Sequence, residues 1–289
     1  MLSLIRRDLT LYFRNYSGVF FSLMGAMISF VLYLIFLKHS MLSAWKMVPD
    51  TTKLLDPWLI GGTLTITALT TTLYALQIMV KDRETGILAD LTMTSVSSSV
   101  ISFAYVFSAM IIGIVMQIVM LIIMETYFSW QDHLVFSWSE GWKLFILIVL
   151  SSLTFSLFNG VIVSFIKKVS TMSMINSIFG TAAGFLACVY IPIGLLPDFA
   201  QKVVKKTPFV YDASAFRRVL MSYQLNHSFR NVSTKTLTTF KKTMGVGVKL
   251  PYMNTQINDY FVLLIVAVIS LLSLFLIRKV FQNKQIAKV

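Results

Sequence analysis

Residues 100–124 read VISFAYVFSAMIIGIVMQIVMLIIM, a run with no charge and a single amide, Gln117. As a helix the run is longer than the roughly 20 residues that cross a hydrocarbon core of about 30 Å. Backbone groups in lipid must bond to one another, which leaves helix as the form such a run takes. Working outward, five more stretches have the same character: 19–37, 59–80, 144–166, 172–195 with a weaker end, and 260–277. Lys38, Pro57, Lys81, the pair Lys167 and Lys168, and the pair Arg278 and Lys279 bracket them. Trp58, Trp130, Trp138 and Trp142 stand at their ends, as interfacial aromatics do. The composition agrees. The chain has 289 residues and a mean hydropathy of +0.77, and only 13% of its side chains are charged. Soluble domains carry about 25%, so this chain lacks the charge to coat a water-soluble body and reads as an all-α integral membrane protein with six transmembrane helices. Cys188 is the only cysteine, and His39, His133 and His227 are scattered, which excludes a disulfide framework and a cysteine zinc site.

Six spans put both termini on one side. That side carries Arg6, Arg7, Arg14, Lys81, Arg83, Lys167, Lys168, Arg278, Lys279, Lys284 and Lys288, whereas the opposite short loops carry Lys38, Lys46, Lys53 and Lys143. The bias predicts cytoplasmic termini. Residues 197–258 are also basic, with Asp198 and Asp212 their only acids, but segments of that length translocate with little regard to charge. The first apolar run is too long for a signal-peptide core and no A-x-A-like site follows it, so it is expected to stay as a span.

Before the first span, Leu2, Ile5, Leu9, Tyr12, Phe13 and Tyr16 share a helical arc of about 100°, with Arg6, Arg7 and Arg14 on a neighbouring arc. Two readings stand: a helix lying in the interface with its arginines among lipid phosphates, or a basic flank that happens to be helical. The central turns of the six runs hold no ionisable residue. Glu125 and Asp259 lie at ends, and Gln77, Gln117, Asn159 and Asn176 read as helix-to-helix hydrogen bonds. That disfavours an ion-coupled carrier and an intramembrane hydrolase. A nucleotide-binding P-loop needs G-x-x-x-x-G-K-[ST], and Gly245-Val246-Gly247-Val248-Lys249 has the wrong spacing. The chain is not expected to be an enzyme or to bind a cofactor or metal itself.

After the second span, residues 81–97 read KDRETGILADLTMTSVS. A charged start leads to Gly86, and Ile87, Leu88 and Leu91 then recur at helical spacing on a segment too short to span. This has the form of a docking helix for a cytoplasmic partner; a solvated loop helix packed on its own bundle is the other reading. After the fifth span come Tyr190-Ile191-Pro192-Ile193-Gly194-Leu195-Leu196-Pro197, then Thr207-Pro208-Phe209-Val210-Tyr211, then Arg217. Each proline removes a backbone donor, and Pro192 and Pro197 are expected to break the fifth span before the outer surface. Gly180-Thr181-Ala182-Ala183-Gly184 forms a small-xxx-small face on that span.

In this order the elements resemble the permease subunit of an ATP-binding-cassette type-2 exporter. That family's loop usually runs E-x-G-T-L-x-x-L-x-x-T-P-V-S. Glu84, Gly86, Leu88, Leu91, Thr94, Val96 and Ser97 fit it, with Ile87 for threonine and Ser95 for proline. The later stretch is similar to P-x-x-x-L-P, N-P-x-T-Y and E-A-x-R, with Thr207 for asparagine, Val210 for threonine and Ser214-Ala215 at the acid-alanine. The resemblance covers residues 1 to about 222 and the last span. It implies one transmembrane permease domain over 1–289: an interfacial elbow at 1–18 with Arg6, Arg7 and Arg14, spans one to five over 19–195, an external re-entrant and basic region at 196–258, span six at 259–280 and a cytoplasmic tail at 281–289. It further implies that Asp82, Arg83, Glu84, Gly86, Leu88, Leu91, Thr94 and Val96 couple to a separate ATPase subunit holding ATP and magnesium. Pro192, Pro197, Pro208, Tyr211 and Arg217 would form re-entrant helices at the exit. Gly180 and Gly184 would lie at the seam with a second permease copy, in a homo- or heterodimer, with internal packing the other use of that face.

Residues 224–258 look like an insertion on this pattern. Arg230, Lys235, Lys241, Lys242 and Lys249 meet no acid there, and alternating Val232, Leu237, Phe240, Val246, Val248 and Leu250 are expected to form a short hairpin around Gly245 and Gly247. Anionic lipid headgroups or wall polymers would suit its charge, as would repulsion of an exported cationic peptide; nucleic acid would not, for want of interleaved aromatics. Asn226-His227-Ser228 and Asn231-Val232-Ser233 match the glycosylation pattern, which is without meaning in the bacterial cell membrane to which the short form points. The cargo expected of neutral spans is amphipathic or hydrophobic: a drug, a lipid-linked compound or a hydrophobic peptide. A non-transporting membrane receptor or immunity protein that binds a ligand with its basic external loop is the alternative function.

Overall fold

A computed structural model of the chain describes residues 1–46, 48–133, 141–230, 232–248 and 259–286, with 277–286 as backbone alone. Trp138, Asn231, Lys249, Leu250 and Lys288 fall outside the described residues, as do the side chains of Arg278, Lys279 and Lys284. Among the described residues every regular element is helical, and six helices are long and apolar enough to cross a membrane.

Helix α1 (Leu2–Arg14) meets α2 (Tyr16–Leu32) at Asn15, whose side chain caps α2 by accepting the Gly18 N–H at 3.1 Å. A π-helical turn, Tyr33–Leu37, and α3 (Lys38–Ala44) continue α2, so the first span runs Tyr16–Ala44, beyond the expected end at 37. Helices α4 (Thr51–Ala75) and α5 (Gln77–Glu84) form the second span. Pro57 lies inside α4 and does not open it: Thr51 starts the helix from a left-handed Asp50 and donates its hydroxyl to Val48 O at 2.7 Å. The short α6 (Ile87–Thr92) precedes the long third and fourth spans, α7 (Ser98–Asp132) and α8 (Gly141–Ser164). The fifth is α9 (Val169–Leu186). A 3-10 turn (Ile193–Leu195), α10 (Asp198–Val204), α11 (Phe209–Leu220), α12 (Ser222–Ser228) and α13 (Thr234–Met244) follow, and α14 (Asp259–Ile286) is the last span.

The second span is the hub. Over its most apolar window 94% of residues are buried, against 17% for the fifth span and 22% for the sixth, which therefore stand at the rim. Threonine explains why a comparatively polar helix sits at the centre. Thr67, Thr70, Thr71 and Thr72 donate to Thr63, Ile66, Thr67 and Ala68 carbonyls at 2.9, 2.9, 2.6 and 2.7 Å, so each hydroxyl is satisfied within the helix and leaves a small side chain for close packing. Large apolar residues point outward instead, among them Phe20, Phe21, Ile122, Ile178 and Ile269. The amides do bridge helices as their positions suggested: Gln117 donates to Leu64 O at 3.1 Å and Asn159 to Leu69 O at 3.0 Å, while Asn176 donates to Gln77 at 3.0 Å.

Three expectations are corrected. The fifth span ends at Leu186, before Pro192: Cys188 takes a left-handed φ of 50° and the Val189 N–H turns back to Gly184 O at 2.8 Å. The expected hairpin is helix over its first part, because Leu237, Phe240 and Met244 repeat every three and four residues, and Phe240 and Met244 are buried. The interior is also not neutral. Asp56 and Asp259 are fully buried near span ends, and α11 carries Asp212 and Arg217 into the bundle. Phe209 stacks on Phe155 of α8 with centroids 5.6 Å apart, and Asp212 accepts from Thr65 and Ser151 at 2.8 and 2.9 Å.

Candidate functional site

The helix connections sort the loops into two ends. At the end that holds α1, α6 and the turn at 165–168, Asp82, Arg83 and Glu84 reach different helices. Asp82, 3% exposed, receives a two-pronged contact from the Arg7 guanidinium of α1 at 2.7 and 2.9 Å and the Tyr105 hydroxyl of α7 at 2.6 Å. Arg83 donates to Val163 O near the end of α8, at 3.2 Å, and to Ile166 O just past it. Glu84 accepts the first N–H of α9, at Val169, at 2.7 Å, a negative charge at a helix N-terminus where the dipole favours it.

Past Glu84 the chain turns through Gly86, whose φ of +86° is the left-handed region open to glycine, into α6. Leu88, Leu91 and Val96 face back and pack against the core formed by α1, α5 and α7. Thr94 ends the segment by donating to Leu91 O at 2.7 Å, and Ser97 caps α7 at the Val100 N–H. The other face of α6 is open: Ile87 is 39% exposed and Met93 85%. One side of α6 thus packs on its own bundle, and the other exposes Ile87 and Met93 around Asp90.

Helix α1 packs differently from the arc read off the sequence. Ile5, Asp8 and Tyr12 face inward, Leu2 and Phe13 are exposed, and Arg6 and Arg14 point out. Asp8 was not legible as part of the site. It lies 3.2 Å from Arg7 and accepts from Ser108 of α7 at 3.4 Å. Burial pushes its carboxyl up to about 7, against the pull of Arg7 and with a further push from Asp82. The hydrogen bond to Asp82 holds the Arg7 guanidinium above its ordinary value.

The opposite end closes around Arg217, which is fully buried. Its guanidinium lies over the Trp58 ring at 4.4 Å and donates to the carbonyls of Trp58, Ala187, Cys188 and Met244 at 3.0 to 3.4 Å. One side chain thereby joins α4, the end of α9, α11 and α13. Gly61 and Gly62 make room for it: a Cβ at Gly61 would stand 2.9 Å from the Arg217 backbone N. Pro197 and Pro208 precede α10 and α11 as their caps, Pro192 precedes the 3-10 turn, and Tyr211 donates to Lys205 O at 2.9 Å. On α9, nothing stands within 4 Å of a Cβ at Gly180, whereas Gly184 is covered by the Tyr190 ring of the same chain. Close approach at Gly184 is internal.

The chain is thus a six-span helical bundle in which a charged triplet joins four helices beneath an exposed short helix. No curated protein sequence and no solved structure matches the chain. The profile of the family described as ABC-2 type transporter matches residues 1–221, which takes in the elbow, the triplet, α6, five spans and α11 through Arg217, and the chain belongs to that family as a membrane component of an ABC transport system.

Proposed function

We propose that the chain is the membrane-spanning subunit of an ATP-driven exporter, set in the cell membrane with both termini in the cytoplasm. A separate ATPase subunit, which holds the ATP and magnesium, meets the open face of α6. The observation that carries the reading is the triplet: a push on α6 reaches α1 and α7 through Asp82, the end of α8 through Arg83 and the start of α9 through Glu84. Movement at the loop thus has a bonded route to four helices. Two copies enclose the pathway, meeting along the rim helix α9, where Gly180 leaves room and Met174, Ile178 and Phe185 are exposed. The apolar side chains exposed along that helix suit a drug, a lipid-linked compound or a hydrophobic peptide as cargo.

The test is co-purification from native membranes. The ATPase should elute with the wild-type permease, and Ile87→Asp with Met93→Asp should reduce its recovery by about tenfold or more, since buried apolar anchors dominate such contacts. The permease's own melting temperature should hold. Unchanged ATPase recovery in the double variant, or no nucleotide-binding subunit with the wild type, overturns the reading.

A further inference from the structure

Helix α10 and the turn before it have two faces. Leu195 in the turn and Phe199 and Val203, four residues apart on α10, are 66%, 79% and 45% exposed. On the other side Asp198, Gln201 and Lys205 line a cavity of about 1240 Å³ whose far wall is α13 and the turn at Gly245 and Gly247. Arg218, Lys241 and Lys242 also line it, and Asp198 is its one carboxylate among the described residues. Arg218 is held by Asp259 at 2.9 Å. Lys205, Lys241 and Lys242 have no ion pair among the described residues, so the cavity gathers positive charge that its own walls do not neutralise.

The apolar ridge fixes what kind of anion fits. Arg218 of the cavity wall is paired with Asp259, the first residue of α14, which places the cavity and the ridge beside it next to the start of a span. An exposed apolar face on an amphipathic helix there is covered by acyl chains, which sets the opposite, polar face at headgroup depth. We infer that the cavity binds the phosphate of an anionic lipid, with its chains along Leu195, Phe199 and Val203. Lys205, Lys241 and Lys242 supply the charge that selects it, and the cavity is far larger than a bare phosphate.

Native mass spectrometry of the purified protein with phosphatidylglycerol, phosphatidylcholine or inorganic phosphate tests this without an ATPase. Phosphatidylglycerol should be retained about tenfold over phosphatidylcholine, and Lys205→Gln with Lys241→Gln and Lys242→Gln should abolish that preference while phosphatidylcholine adducts stay constant. The corresponding arginine variant should keep the preference, and Lys242→Gln alone, at an exposed position, should lower it in a protein whose melting temperature is unchanged. Equal retention of the two lipids, an unaltered preference in the glutamine variants, or displacement of phosphatidylglycerol by millimolar inorganic phosphate would each overturn the proposal, the last by assigning the site to free phosphate.

Discussion

Asp8 is the buried carboxyl through which pH should act on α1. It faces Arg7 on its own helix, Asp82 on α5, and Tyr105 and Ser108 on α7. Its folded value near 7 lies above its ordinary 3.8, so the folded protein holds the proton more tightly than the unfolded chain. The stabilisation this provides is complete below pH 4 and is lost as pH rises through 7. Asp8→Asn should therefore equal the wild type in melting temperature near pH 4.5 and exceed it at pH 8, by an amount corresponding to about 1 to 3 kcal/mol. A difference between the two proteins that is flat with pH would refute the assignment. Nothing in the local pattern marks Asp8 as inward-facing. Its surroundings come from Asp82 and Ser108, far along the chain, and the same is true of Asp212, whose partners Thr65 and Ser151 are 147 and 61 positions away. Hydrophobic runs reveal themselves in consecutive residues; a buried acid reveals itself through neighbours that only the fold supplies.

Among the elements, the spans were legible because lipid imposes one rule on every residue of a crossing, while their ends were set by contacts. The end of α9 illustrates the difference: Cys188 turns left-handed and Arg217 takes the Ala187 and Cys188 carbonyls just past Leu186, although apolar residues and the first proline lie beyond it. The misread of residues 234–244 is of another kind, since Leu237, Phe240 and Met244 carry a helical period that an alternating reading of a wider window concealed. The seating of α11 on α4 depends on backbone proximity. Gly61→Ala would place a methyl 2.9 Å from the Arg217 N and 3.2 Å from the Phe216 Cβ, and should lower stability by about 1 to 3 kcal/mol. Gly180→Ala, with nothing within 4 Å, should leave the melting temperature in detergent unchanged or raise it. Equal losses in the two variants would show that the close contact is not what matters.

For the whole molecule, the lone cysteine gives a clean test of sidedness. Cys188 is fully buried, so an impermeant maleimide should leave the native protein unlabelled. In intact cells the reagent should modify Thr238→Cys but spare Met93→Cys, and in inside-out vesicles the pattern should reverse; labelling of Met93→Cys from outside would invert the proposed topology. The triplet at 82–84 and the Arg217 cluster lie at opposite ends of the bundle, joined by the threonine-rich hub. Arg217 also places a clock on biogenesis. Spans one to five leave the ribosome with the carbonyls of Trp58, Ala187 and Cys188 still awaiting their donor, and Met244 is made later still. The newborn bundle therefore keeps an open berth for α11, and the chain beyond residue 217 completes a membrane domain whose earlier helices are already inserted.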